Sequence, residues 1–106
     1  MTSAIKQRYL DLCQTQSDIQ HHLPLLYSLA RGNVVELGTR TGVSTAALLA
    51  GVETRGGQVI SVDIDPSCAT VAKDHPQWAF WEGSSTDASM AQDITAYAGP
   101  FDLLLI

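Results

Sequence analysis

The 106-residue chain reads as an α/β fold built on a parallel sheet behind a helical lead. Two observations predict it. Short apolar, β-branched runs such as Val34-Val35 and Val59-Ile60-Ser61-Val62 alternate with segments of helical length. Turn residues then close the first two runs: Gly38 follows one and Asp63 ends the other. Strands alternating with helices in this way imply parallel pairing through right-handed crossovers.

Residues 3–15 place Ile5, Tyr9, Leu12 and Cys13 near helical spacing, which predicts one helix with one apolar stripe. Ser17-Asp18 suits the cap of a short turn, and Pro24 fits the first turn of a helix reaching Ala30, closed by Gly32. Strand one is expected at 33–37, a helix at 43–52, strand two at 58–63 and a helix at 66–75 that opens on Pro66. Strand three follows at 78–83, a helix at 87–98 and strand four at 101–106. The division is a helical segment over 1–31 and a sheet-bearing unit over 32–106. No internal repeat or low-complexity linker interrupts it.

Composition narrows the function classes. A hydrophobic content of 45% is ordinary for one globular domain. Net charge is −5, with acids spread along the chain and no basic run, which argues against a nucleic-acid partner. Cys13 and Cys68 lack metal-ligand or disulfide spacing and read as small buried hydrophobes in helices. There is no charged-then-apolar leader, and no apolar run approaches the roughly 20 residues that span a bilayer. The expectation is a cytoplasmic protein without a membrane partner.

Residues 34–44, Val-Val-Glu-Leu-Gly-Thr-Arg-Thr-Gly-Val-Ser, carry the functional signal. Gly38 and Gly42 allow a sharp turn and close approach of a ligand to the main chain, with a helix N-terminus behind. A dinucleotide fingerprint is excluded, because Arg40 and Val43 stand where its second and third glycines belong. A P-loop is excluded too, since three residues rather than four separate the glycines and Val-Ser follows. Glu36, two residues before the turn, would repel a diphosphate and attract an ammonium group. Asp63 ends the second strand and is placed to accept hydrogen bonds from a ribose diol.

Glu36-Leu-Gly38-Thr-Arg-Thr-Gly42-Val-Ser44 followed by Val62-Asp63-Ile64-Asp65-Pro66 resembles motifs I and II of class I S-adenosylmethionine-dependent methyltransferases. It is most similar to the branch of catechol-type and cephalosporin-hydroxylase-like small-molecule enzymes. Weaker similarity covers Ser17 to Pro24, Phe80 to Asp87 and Phe101 to Ile106. The resemblance implies a Rossmann-like three-layer sandwich with strand order 3-2-1-4. It implies that Glu36, Gly38, Thr39 and Ser44 line the methionine end of the cofactor, with Gly42 in the turn. Asp63 would hold the ribose, Ile64 would pack on adenine, and Gly83, Ser84 and Ser85 would border the adenine edge. Ser84 departs from the many relatives that carry Asp there.

By that resemblance the chain stops one residue before an Asp that opens the metal or substrate side of the site. What is expected is therefore the cofactor-binding half of a methyltransferase with an unknown small-molecule acceptor, yielding S-adenosylhomocysteine, and inactive alone. The alternative is a non-catalytic nucleotide-binding or assembly module. No catalytic residue and no metal ligand is assigned. Strand 101–106, an apolar edge, is expected to self-associate or to pair with a partner.

Duller roles stand beside these. The two glycines could serve only a tight turn, and Asp63 could compete with Asp65 as a helix cap. Arg40 could line the cofactor or substrate mouth, or fold back onto a nearby acid. Ser85 and Thr86 could cap the helix that follows. His21 reads as structural or surface, whereas His22 lies in a segment able to cover the cofactor. Trp78, Trp81, Tyr27 and Tyr97 read as packing residues.

Overall fold

A computed structural model describes residues 3–17, 19–84 and 88–105. Helix α1 spans Ala4–Cys13, and the Ser3 hydroxyl caps it by accepting from the Lys6 amide at 3.0 Å. A 3-10 turn, Gln20–His22, leads into α2, Leu23–Leu29, with Pro24 in its first turn. There follow β1 (Gly32–Leu37), α3 (Val43–Arg55), β2 (Gly57–Asp63), a 3-10 turn (Pro66–Thr70), β3 (Trp78–Glu82), α4 (Ala88–Ala98) and β4 (Leu103–Leu105).

The four strands form one parallel sheet in the order β3-β2-β1-β4. This is the Rossmann-like order that the motifs imply. Alternation along the strands sends Val34 and Val59 to one face, where they pack with Leu48, Leu49 and Val52 of α3. Val35, Ile60 and Val62 go to the other, against Ile94 of α4. Residues Thr45 to Val52 of α3 are all buried. The reason is that α3 is covered twice: the sheet lies on one side, and Tyr9 and Leu23 of the helical lead pack on Ala46, Ala47 and Ala50 on the other. The lead thus shares a core with the sheet. Tyr27 of α2 stacks on Tyr9 at 4.8 Å and takes a hydrogen bond from Lys6 Nζ at 2.6 Å, which ties α1 to α2.

Four expectations need correction. The helix expected at 66–75 is a 3-10 turn followed by turns, with Asp74 at φ 71. The Val71 carbonyl, which an α-helix would use internally, accepts instead from Arg8 Nη1 at 3.1 Å, and the His75 amide bonds to Ala72. Gly32 does not close α2, which ends at Leu29; it opens β1. Strand four is shorter than expected, because Asp102 turns its carboxylate onto the Asn33 amide at 2.8 Å before pairing begins. Tyr97 is not core: it is 58% exposed, edge-on to Trp81 at 5.6 Å. Asp18, Ser85, Thr86, Asp87 and Ile106 lie outside the described residues.

Candidate functional site

The carboxyl ends of β1, β2 and β3 bring the predicted residues to one rim of the sheet. The Gly38 amide donates to the Val62 carbonyl at 2.7 Å, and the Gly83 amide donates to the Asp63 carbonyl at 2.9 Å. Gly38, Asp63 and Gly83, far apart in sequence, become neighbours by strand pairing.

The two motif glycines do different work. Gly38 has φ 92, and a Cβ built there meets nothing within 4 Å among the described residues, so their side of the main chain is open. Gly42 has φ 86, and a Cβ there would lie 2.2 Å from Val71 Cγ1. The second glycine is thus needed to seat the turn on the Val71 segment. Arg8 of α1 locks the same junction from outside, donating to the carbonyls of Thr41 at 2.9 Å and Val71 at 3.1 Å.

Asp63 is the hub of the turn. Its Oδ2 accepts from the amides of Thr39 at 2.9 Å and Arg40 at 3.2 Å, and its Oδ1 from the Asp65 amide at 3.0 Å. These backbone donors, that of Asp65 foremost, hold its pKa below the usual carboxylate value despite partial burial. The capping role goes to Asp65, which accepts from the Ser67 amide at 2.9 Å. The Cys68 thiol donates to the Arg40 carbonyl at 3.3 Å, and burial raises its pKa. Ile64 projects beside this hub, 71% exposed.

Glu36 faces inward. It pairs in register with Ser61 and lies on the α3 side of the sheet, fully buried. Its carboxylate accepts from Ser44, from Thr45 at 2.5 Å and from Ser61 at 2.8 Å. Burial raises its pKa, and the three hydroxyls oppose that rise. The carboxylate also sits under the first turn of α3, where the helix dipole favours an anion. Gly42, the N-cap of that helix, supplies no side-chain cap.

A cavity of about 530 Å³ opens between the turn and the helical lead. Leu37, Gly38, Arg40, Ser44 and Leu105 form its floor, and Ile19, His22, Leu25 and Leu26 its roof. Arg40 sits at φ 52, an uncommon backbone for a side-chain-bearing residue, and makes no ion pair among the described residues. It therefore does not fold back onto an acid. Thr39 is 2% exposed, and its Oγ1 has no hydrogen-bond partner among the described residues. Among the described residues no group of three His, Cys, Asp or Glu side chains is placed to hold a metal.

Sequence reasoning missed Arg8, Thr45, Ser61 and Val71. Only Ser61 left a trace: a polar residue inside the Val59-Ile60-Ser61-Val62 run needs a partner when buried.

A family model described as a methyltransferase domain matches residues 35–106. Among solved structures, cofactor-bound Rv0187 from MTB is similar over 96% of this chain and 52% of its own, with a TM-score of 0.61 and 22% identity. At that identity the likeness is one of fold. The chain spans about half the length of that protein. No curated protein sequence matches significantly.

Proposed function

The chain belongs to the methyltransferase-domain family, whose model it matches over residues 35–106, and on that premise we propose that it is the S-adenosylmethionine-binding portion of a methyltransferase acting on a small molecule. The observation that carries the reading is Gly38: at the carboxyl end of β1, where open α/β sheets bind ligands, no described residue comes within 4 Å of a Cβ built on it. The unpartnered, buried Thr39 Oγ1 beside it adds a polar group that a ligand could satisfy. The residues present fit the group.

When bound, S-adenosylmethionine supplies an electrophilic methyl group and leaves as S-adenosylhomocysteine. The chain's part is to hold and orient it, and positioning accounts for much of the rate of such transfers. A carboxylate offers about four acceptor sites. Three of them on Asp63 are engaged by the amides of Thr39, Arg40 and Asp65, and a ribose hydroxyl would take the acceptor capacity that remains beside the Cys68 thiol. Exposed Ile64 offers an apolar face to adenine, with Gly83 and Ser84 at its edge. Ser44 and Gly38 floor the methionine end, and Glu36 orients the Ser44 hydroxyl from behind.

Calorimetric titration with S-adenosylhomocysteine and NAD tests this. S-adenosylhomocysteine should bind and NAD should not. Asp63→Ala is an ambiguous control, because it also frees the amides of the turn. Ile64→Asp is the better one: the residue is exposed, so the fold should hold while affinity falls about tenfold, or ~1.4 kcal/mol. Binding of NAD alone, or unchanged affinity in Ile64→Asp, would overturn the reading.

A further inference from the structure

The cavity between the turn and the helical lead has an unexpected sign. Glu36, the acid that the sequence places nearest the turn, is fully buried and held by the hydroxyls of Ser44, Thr45 and Ser61. Asp63 spends both oxygens on backbone amides. Neither acid lines the cavity, whose ionisable lining side chains are Arg40 and His22. The Arg40 guanidinium forms no ion pair and no side-chain hydrogen bond among the described residues, although its own main chain is bound to Asp63 and Cys68. That main-chain anchoring holds Arg40 in the left-handed region, which is unfavourable for a residue with a side chain. Five of the nine lining residues are Leu or Ile, so few side chains of the cavity compete for the exposed guanidinium.

We infer that Arg40 is the anion receptor of this cavity and holds a carboxylate of the molecule that binds there. A planar guanidinium with five donors matches a carboxylate in paired hydrogen bonds. The carboxylate can come from the amino-acid end of the cofactor, which rests on the function proposed above, or from an acid with an apolar body bound as the methyl acceptor.

The probes are S-adenosylhomocysteine, 5′-methylthioadenosine (which keeps the nucleoside thioether and lacks the amino-acid end) and benzoate. Each is titrated into the chain and into Arg40→Gln. Arg40→Asn serves as a second variant, because Asn tolerates the left-handed backbone. A tenfold or greater loss for S-adenosylhomocysteine, with 5′-methylthioadenosine changed less than twofold in both variants, assigns the carboxylate to the cofactor. Unchanged nucleoside ligands with benzoate binding abolished assign it to an acid acceptor. If neither nucleoside binds the unmodified chain, the cofactor reading fails and benzoate alone decides: binding lost in both variants supports the receptor, and no binding overturns it. Equal losses for both nucleosides, or no change for any probe, would also overturn it.

Discussion

Replacing Gly38 and Gly42 separately by alanine should split the motif into a ligand glycine and a packing glycine. Both residues have positive φ, 92 and 86, so each alanine carries backbone strain of roughly 1–2 kcal/mol. At Gly38 that is the whole cost, since the new Cβ meets nothing within 4 Å. At Gly42 the methyl would lie 2.2 Å from Val71 Cγ1 and 3.3 Å from Arg8 Nη2. Relief requires moving Val71, whose carbonyl is held by Arg8. Overpacking of this kind costs about 1–3 kcal/mol more, which brings Gly42→Ala to about 2–5 kcal/mol. With a urea m-value of about 1–3 kcal/mol per molar, its unfolding midpoint should fall well below that of Gly38→Ala. Titration with S-adenosylhomocysteine should rank the two the other way, because the Gly38 methyl enters the space left for ligand. Should Gly38→Ala prove as unstable as Gly42→Ala, or bind ligand as the unmodified chain does, the division of labour is wrong.

Two acids near the turn should give opposite pH signatures in urea midpoints. Asp63 has a depressed folded pKa, so its contribution is complete above the ordinary Asp value of about 3.9 and is lost as pH falls through the folded value. Asp63→Asn should be less stable at neutral pH and lack that acid limb; an unchanged limb would show that Asp63 does not hold the turn. Glu36 has a raised folded pKa, so it favours the fold below the ordinary Glu value of about 4.3 and loses that advantage as pH climbs through the folded value. Glu36→Gln should flatten stability across this upper window, and a profile that overlays the unmodified chain would refute the burial argument.

Much of the fold was legible because strand and helix patterns are local. Short apolar runs, β-branched in the first two, located all four strands, and Pro24 marked a helix start. The segment 66–75 misled because Pro66, Ala69 and Ala72 suit a helix, whereas the competing use of the Val71 carbonyl comes from Arg8, 63 residues away in sequence. Tyr97 misled because helical spacing does not say which face the sheet covers. Its ring ends against Trp81 at the rim.

At the site, the residues Glu36 to Ser44 and Asp63 by themselves determined a strand, a turn and a helix, and pointed to a ligand cradle without the glycine spacing of the dinucleotide or triphosphate forms. Chain-local chemistry suffices for that, since glycine spacing and the placement of acids are read one residue at a time. Only the tertiary structure decided how the charges are used. The register of β1 on β2 buries Glu36 against Ser61, β2 lends Asp63 to the amides of the turn, and the helical lead closes a cavity whose unpaired cation is Arg40 among the described residues. Whether an acid faces ligand or interior depends on which strand lies beside it and which helix covers it. Those neighbours come from distant parts of the chain.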